Sequence, residues 1–172
     1  LAYTLGDGKY VGFHTEMAER ITSDLRKQLG MTALDIKYQP VTSQNRIPLV
    51  TNGTVDLECG STTNDANRQK DVAFAITTYV EEVRIAVKAK SGITGIKDLK
   101  GKTIATTTGT TSVQTLRKNK RAEGIEFKEV FGKDHADSFL LLETGRADAF
   151  VMDGSILAGN ISKAKTPSDF KI

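Results

Sequence analysis

Two stretches of this chain follow one plan, and that repetition restricts the fold more than any other feature. Residues 47–60 (IleProLeuValThrAsnGlyThrValAspLeuGluCysGly) and 139–154 (PheLeuLeuLeuGluThrGlyArgAlaAspAlaPheValMetAspGly) each read as an apolar helix, a glycine stop, a short connector with an aspartate, and an apolar strand. The equivalent glycines are Gly53 and Gly145, a separation far longer than the roughly 20–50 residues of stacked repeat arrays. The pattern therefore predicts two similar lobes.

The segments between the repeats alternate helix and strand. Met17, Ile21, Leu25 and Leu29 recur every fourth residue before Gly30, the stripe of an amphipathic helix. Residues 34–39 read as a strand, and residues 43–53 as a short helix capped at or near Ser43, because Pro48 is tolerated only in a first turn. Val55, Leu57 and Cys59 alternate with polar partners, the two-residue period of a strand that Gly60 ends. After an extended stretch at 79–90 come strands at 102–108, 126–131 and 147–153, with helices at 113–121, 137–145 and 155–165. Such alternation predicts an α/β protein with parallel sheets covered by helices. The lobe boundary is expected within 79–84, giving lobes of residues 1–82 and 83–172.

Bulk properties exclude several classes. No apolar run approaches the roughly 18–20 residues that span a bilayer. A net charge of +3 with scattered Lys and Arg does not mark a nucleic-acid binder, and the one basic cluster, residues 116–121, has the spacing of a solvated helix face. The single cysteine, Cys59, allows no internal disulfide, no Cys/His group has zinc spacing, and Cys59 reads as a small buried strand residue. The chain opens on Leu1 with no leader-like run and reads as a processed or excised segment.

Polar residues gather where strands are expected to end. Ser61, Thr63, Asn64 and Asp65 follow Gly60 as helix-cap types, with Arg68 close behind. A helix start aims N–H groups at an anion, and a guanidinium grips a carboxylate through two bonds; the alternative is a plain cap beside a solvated arginine. A second cluster, residues 106–112, turns on Gly109 and places Thr110 and Thr111 at another helix start, without the lysine of a P-loop. Asp153 ends the last strand, either as partner for an ammonium group or as a helix cap. His135, beside Lys133 and Asp134, is a structural histidine or an anion donor; His14 reads as a cap or surface residue. Anion donors thus outnumber carboxylates, and the elements of a hydrolase are missing.

These residues carry a resemblance. The segments 42–48 (ThrSerGlnAsnArgIlePro), 58–64 with Arg68, 109–112, 133–139 and 145–153 are similar to the type II periplasmic solute-binding proteins for polar amino acids, in the glutamate/aspartate branch. The resemblance implies a two-lobed fold, each lobe a mostly parallel sheet flanked by helices, with the ligand in the cleft between lobes and capture by hinge closure. It implies that Arg68, with Ser61, Thr63 and Thr111, holds the α-carboxylate, for which Thr110 is by its position a further donor, that Asp153 accepts from the α-ammonium, and that Ser43, Arg46 and His135 hold the side-chain carboxylate. It further implies a periplasmic protein serving the membrane permease of an ABC transporter, without catalytic residue, cofactor or metal. Relatives carry an extra strand before Leu1 and a return segment after Ile172, so the first lobe is expected to be incomplete. A ligand-sensing receptor domain and a dehydratase, using His135 or Glu58 as acid or base, are the other functions this architecture admits.

Overall fold

The computed structural model describes residues 1–6 and 8–172. The chain divides into two compact units: Leu1–Val41 with Asn45–Ala75, and Thr42–Gln44 with Ile76–Ile172.

The first unit holds a hairpin of β1 (Tyr3–Gly6) and β2 (Lys9–Val11), the long helix α1 (Phe13–Gln28) and the short helix α2 (Arg46–Thr51). The helix read from the spacing of Met17 to Leu29 is present, but its stripe is not covered: Ile21, Leu25 and Leu29 are exposed, and only His14 and Thr15 of α1 are buried. Helix α2 begins at Arg46 with Asn45 before it, not at Ser43, and Pro48 falls in its first turn. The cause lies in the second unit, where Thr42–Gln44 packs against the Gly109 turn. Gly109 has φ +81°, and a Cβ there would sit 2.7 Å from the Gln44 Cα, so only glycine admits the tripeptide.

Neither strand expected in this unit forms. Residues 34–39 and 55–59 have no ladder partner among the described residues. Residues 34–39 are held instead by side chains: Arg26 Nε donates to the Leu34 carbonyl at 2.9 Å, the Tyr38 ring stacks on Tyr10 at 5.0 Å, and its hydroxyl reaches Glu19 at 3.2 Å. Alternation marks a segment that fits a sheet, but a strand exists only when another backbone pairs with it. Cys59 is accordingly half-buried and outside any strand, and burial, with the Glu58 charge, pushes its thiol up and keeps it unreactive.

The second unit is an α/β sandwich whose sheet has the order β5-β4-β6-β3-β7. Its strands are β3 (Val83–Lys88), β4 (Thr103–Thr107), β5 (Lys128–Gly132), β6 (Ala149–Asp153) and β7 (Phe170–Lys171). Strand β4 runs parallel to β5 and β6, whereas β3 is antiparallel to β6 and to β7, so the sheet is mixed. Helices α3 (Thr111–Glu123), α4 (His135–Glu143) and α5 (Gly154–Ser162) cover it.

The core follows from alternation along the central strands. Phe150 and Met152 of β6, with Ala86 and Ala105, face Phe139, Leu142 and Leu157 of α4 and α5. Ala149 and Val151, with Val87 and Ile104, face Leu116 of α3 together with Leu99, Ile125 and Phe127. Strand β6 is apolar on both faces because both are covered. Local signals mark a helix start and a helix end. Asp134 caps α4 by accepting from the Asp137 N–H at 2.8 Å, and α3 ends on Gly124 in the left-handed region. No helix among the described residues is long and apolar enough to cross a membrane.

Candidate functional site

The parallel strands β4, β5 and β6 end on the same edge of the second unit's sheet, and their exits carry the polar residues. At the end of β4, Thr106 and Thr107 are fully buried. The Thr110 hydroxyl donates back to the Thr107 carbonyl at 2.9 Å and closes the turn around Gly109. Its hydrogen is therefore committed locally, and Thr111 is the first residue of α3. Ser43 is half-buried beside this turn.

At the end of β5, Gly132 lets α4 approach until a Cβ on it would lie 2.5 Å from the Ser138 nitrogen. That approach builds a line of hydrogen bonds. His135 Nδ1 lies 3.0 Å from Thr107 Oγ1, and Thr107 Oγ1 lies 2.8 Å from Ser138 Oγ. His135 is thus fixed by α4 on one side and β4 on the other. Thr107 and Ser138 were not singled out from sequence. Ser138 was open to detection, since a hydroxyl three residues after a histidine shares its helix face. Thr107 was not, because its partnership spans a distance of 28 residues in the chain.

Asp153 occupies the cap position of α5, yet its side chain makes no capping bond. The Ser155 N–H is taken by Glu81 Oε2 at 3.0 Å, so Glu81 performs the cap. Burial pushes the Glu81 carboxyl up, but hydrogen bonds from Ser155 and the Glu82 N–H, with the Arg84 charge, outweigh it and hold the group below the usual carboxylate range.

In the first unit, residues 61–70 do not open a helix. Only a single 3-10 turn forms at Arg68–Lys70, so no helix dipole is available there. Its Nη1 donates to the Thr63 carbonyl at 3.0 Å, and its Nε lies 3.7 Å from Asp65, whose other oxygen receives the Arg68 N–H at 3.0 Å. Ser61 is half-buried and Thr63 exposed. Arg46, the first residue of α2, is 5% exposed. Long cations are rarely buried this far without an anionic or carbonyl environment.

His14 is buried, not on the surface as expected, because α1 starts against the backbone of Gly60 and beside Glu58. Burial and the positive amino terminus lower its pKa below 6.5, with Glu58 and Gly60 opposing. A depressed histidine stabilises the folded state fully above its unfolded value and loses that contribution as pH falls through the folded value. The first unit is therefore expected to weaken below about pH 6.5. Urea titrations followed by circular dichroism at pH 7.5 and 5.0 should show that loss, and His14→Gln should remove the His14 share of it; an identical loss in the variant would contradict this origin.

Residues 1–141 match the model of the bacterial extracellular solute-binding proteins, family 3. The chain belongs to that family. It is 42% identical over 96% of its length to the "L-glutamate/L-aspartate-binding protein" of Pseudomonas aeruginosa, and 44% identical over 95% to the "Glutamate/aspartate import solute-binding protein" of Salmonella typhimurium. It covers 55% and 54% of those proteins, so the chain spans about half the length of the curated relatives it matches. Among solved structures, an ancestral arginine-binding protein bound to arginine superposes with a TM-score of 0.83 at 26% identity, over 99% of this chain and 71% of that one. The α/β reading and the solute-binding family both stand.

Proposed function

We propose that this protein captures L-glutamate or L-aspartate outside the cytoplasm, in the periplasm, and delivers it to the membrane permease of an ABC importer. The observation that carries the acidic preference is Arg46, a guanidinium that is 5% exposed within the segment ThrSerGlnAsnArgIlePro. A buried guanidinium matches a ligand with a second carboxylate, which offers it a full charge and two acceptor oxygens, whereas an amide side chain offers one neutral acceptor. The names of the relatives from Pseudomonas and Salmonella support the same ligand class.

In this reading Arg68, Ser61, Thr63, Thr110 and Thr111 hold the α-carboxylate, Thr110 through its backbone N–H. Asp153, at the end of β6, accepts from the α-ammonium. Ser43, Arg46 and His135 take the side-chain carboxylate. The protein is not an enzyme: its family binds solutes, and neither His135 nor Glu58 is needed as acid or base. Calorimetric titration against the twenty amino acids is expected to give binding for the two acidic ones. Tight binding of a neutral or basic amino acid, with none for the acidic pair, would overturn the assignment.

A further inference from the structure

The hydrogen bonds around the start of α4 assign the protons of His135. Ser138 Oγ lies 3.0 Å from the Thr106 carbonyl oxygen and 2.9 Å from that of Asp134. Carbonyl oxygens only accept, so two of them beside one hydroxyl draw its single hydrogen toward them. Ser138 then offers Thr107 only lone pairs, and Thr107 Oγ1, 2.8 Å away, must donate. With its own hydrogen committed, Thr107 meets His135 Nδ1 at 3.0 Å as an acceptor, which places a hydrogen on Nδ1. Thr106, Thr107 and Ser138 are all fully buried, where hydrogen-bond partners are not exchanged for solvent.

We propose that Thr107 and Ser138 are positioning residues that hold His135 in the tautomer protonated on Nδ1, so that an acidic ligand is bound with uptake of one proton at Nε2. The uptake rests on the reading of His135 as a contact for the ligand's side-chain carboxylate; the tautomer does not. A neutral ring with its hydrogen on Nδ1 presents a lone pair at Nε2, which repels a carboxylate. Only the imidazolium donates from both nitrogens, so a proton from solvent must join the ring as the ligand arrives.

The charged groups on its own helix start are Lys133, Asp134 and Asp137, of which Lys133 and Asp137 pair at 3.6 Å. The ends of β4 and β5 bring Thr106, Thr107 and Gly132, none of which titrates. The adjoining end of β6 brings Asp153, with Glu81, Glu82 and Arg84 at the start of β3.

Two-bond nitrogen–proton correlation spectra of the ligand-free protein at pH 8 are expected to show His135 with hydrogen on Nδ1 and a bare Nε2. Thr107→Val should move the hydrogen to Nε2, and Thr107→Ser, which keeps the hydroxyl, should restore the original pattern. L-glutamate titrations in buffers of different ionisation enthalpy at pH 8 should report uptake of about one proton, with affinity falling about tenfold per pH unit above the ring's titration in the free protein. A hydrogen on Nε2 in the unsubstituted protein overturns the proposal. A hydrogen on Nδ1 with binding that takes up no proton overturns the uptake. Failure of both acidic amino acids to bind overturns the proposed function and the uptake with it, while the spectra still decide the tautomer.

Discussion

Replacing Arg46 by alanine is expected to lower the affinity for L-glutamate about a hundredfold or more. Truncating one member of a buried, hydrogen-bonded charge pair typically costs about 2–5 kcal/mol, because the remaining charge is left desolvated and unmatched. Arg46 is 5% exposed, so in the proposed complex its partner carboxylate has little solvent to turn to. Lysine at the same position is expected to recover part of the loss, since it restores the charge without the two-pronged fork. Calorimetric titration of the three proteins measures the effect, and circular dichroism of each separates a binding loss from a folding one. Affinity unchanged in a folded Arg46→Ala protein would remove this residue from the site.

The second large effect concerns stability. Gly132→Ala is expected to destabilise the second unit by roughly 3 kcal/mol, the upper end of the range for overpacking. A Cβ at this position would lie 2.5 Å from the Ser138 nitrogen and 2.9 Å from its Cα, in addition to meeting the Ser138 hydroxyl. Backbone atoms do not rotate away, so α4 must shift as a body. That shift would also pull Ser138 from Thr107 and loosen His135. Urea-induced unfolding followed by the protection of β4 and β6 amides measures the loss. A variant with unchanged midpoint would show that α4 can move freely at its start, contrary to the packing described.

The second unit was the more legible in sequence, for a physical reason. Strand β6 and helix α4 announce themselves through local signals, an apolar run and a glycine stop at Gly145, whereas the Asp134 cap that starts α4 two residues before the expected 137 emerges only in the structure. Leu34–Gln39 and Val55–Cys59 show strand-like patterns of similar quality, yet among the described residues no backbone pairs with them. Pairing is a non-local property that alternation does not encode. The stripe of α1 tells the same story, since a helix period is written in Ile21, Leu25 and Leu29 but the surface that covers it is not.

The candidate site divides along similar lines. Arg68, His135 and Asp153 stand out in the residues themselves, as charged or titratable groups where strands are expected to end, whereas Arg46 enters only through the family resemblance. Their supports were hidden wherever chain distance separates the partners, as with Glu81 at the start of α5 or Thr107 against His135. The helix expected after Gly60 is reduced to a single 3-10 turn, although Asp65 accepts from the Asn67 and Arg68 N–H groups as a helix cap does. The cap chemistry was present without the length a dipole needs.

The ratio of dissociation constants for L-glutamine and L-glutamate bears most directly on the central claim. The two ligands differ only in replacing a side-chain carboxylate oxygen by an amide nitrogen, so the ratio isolates the demand made by Arg46, Ser43 and His135. L-glutamate is expected to bind about a hundredfold tighter or more, because a carboxylate offers the buried guanidinium a charge and two acceptors that an amide lacks. Equal affinities, or a preference for L-glutamine, would contradict it.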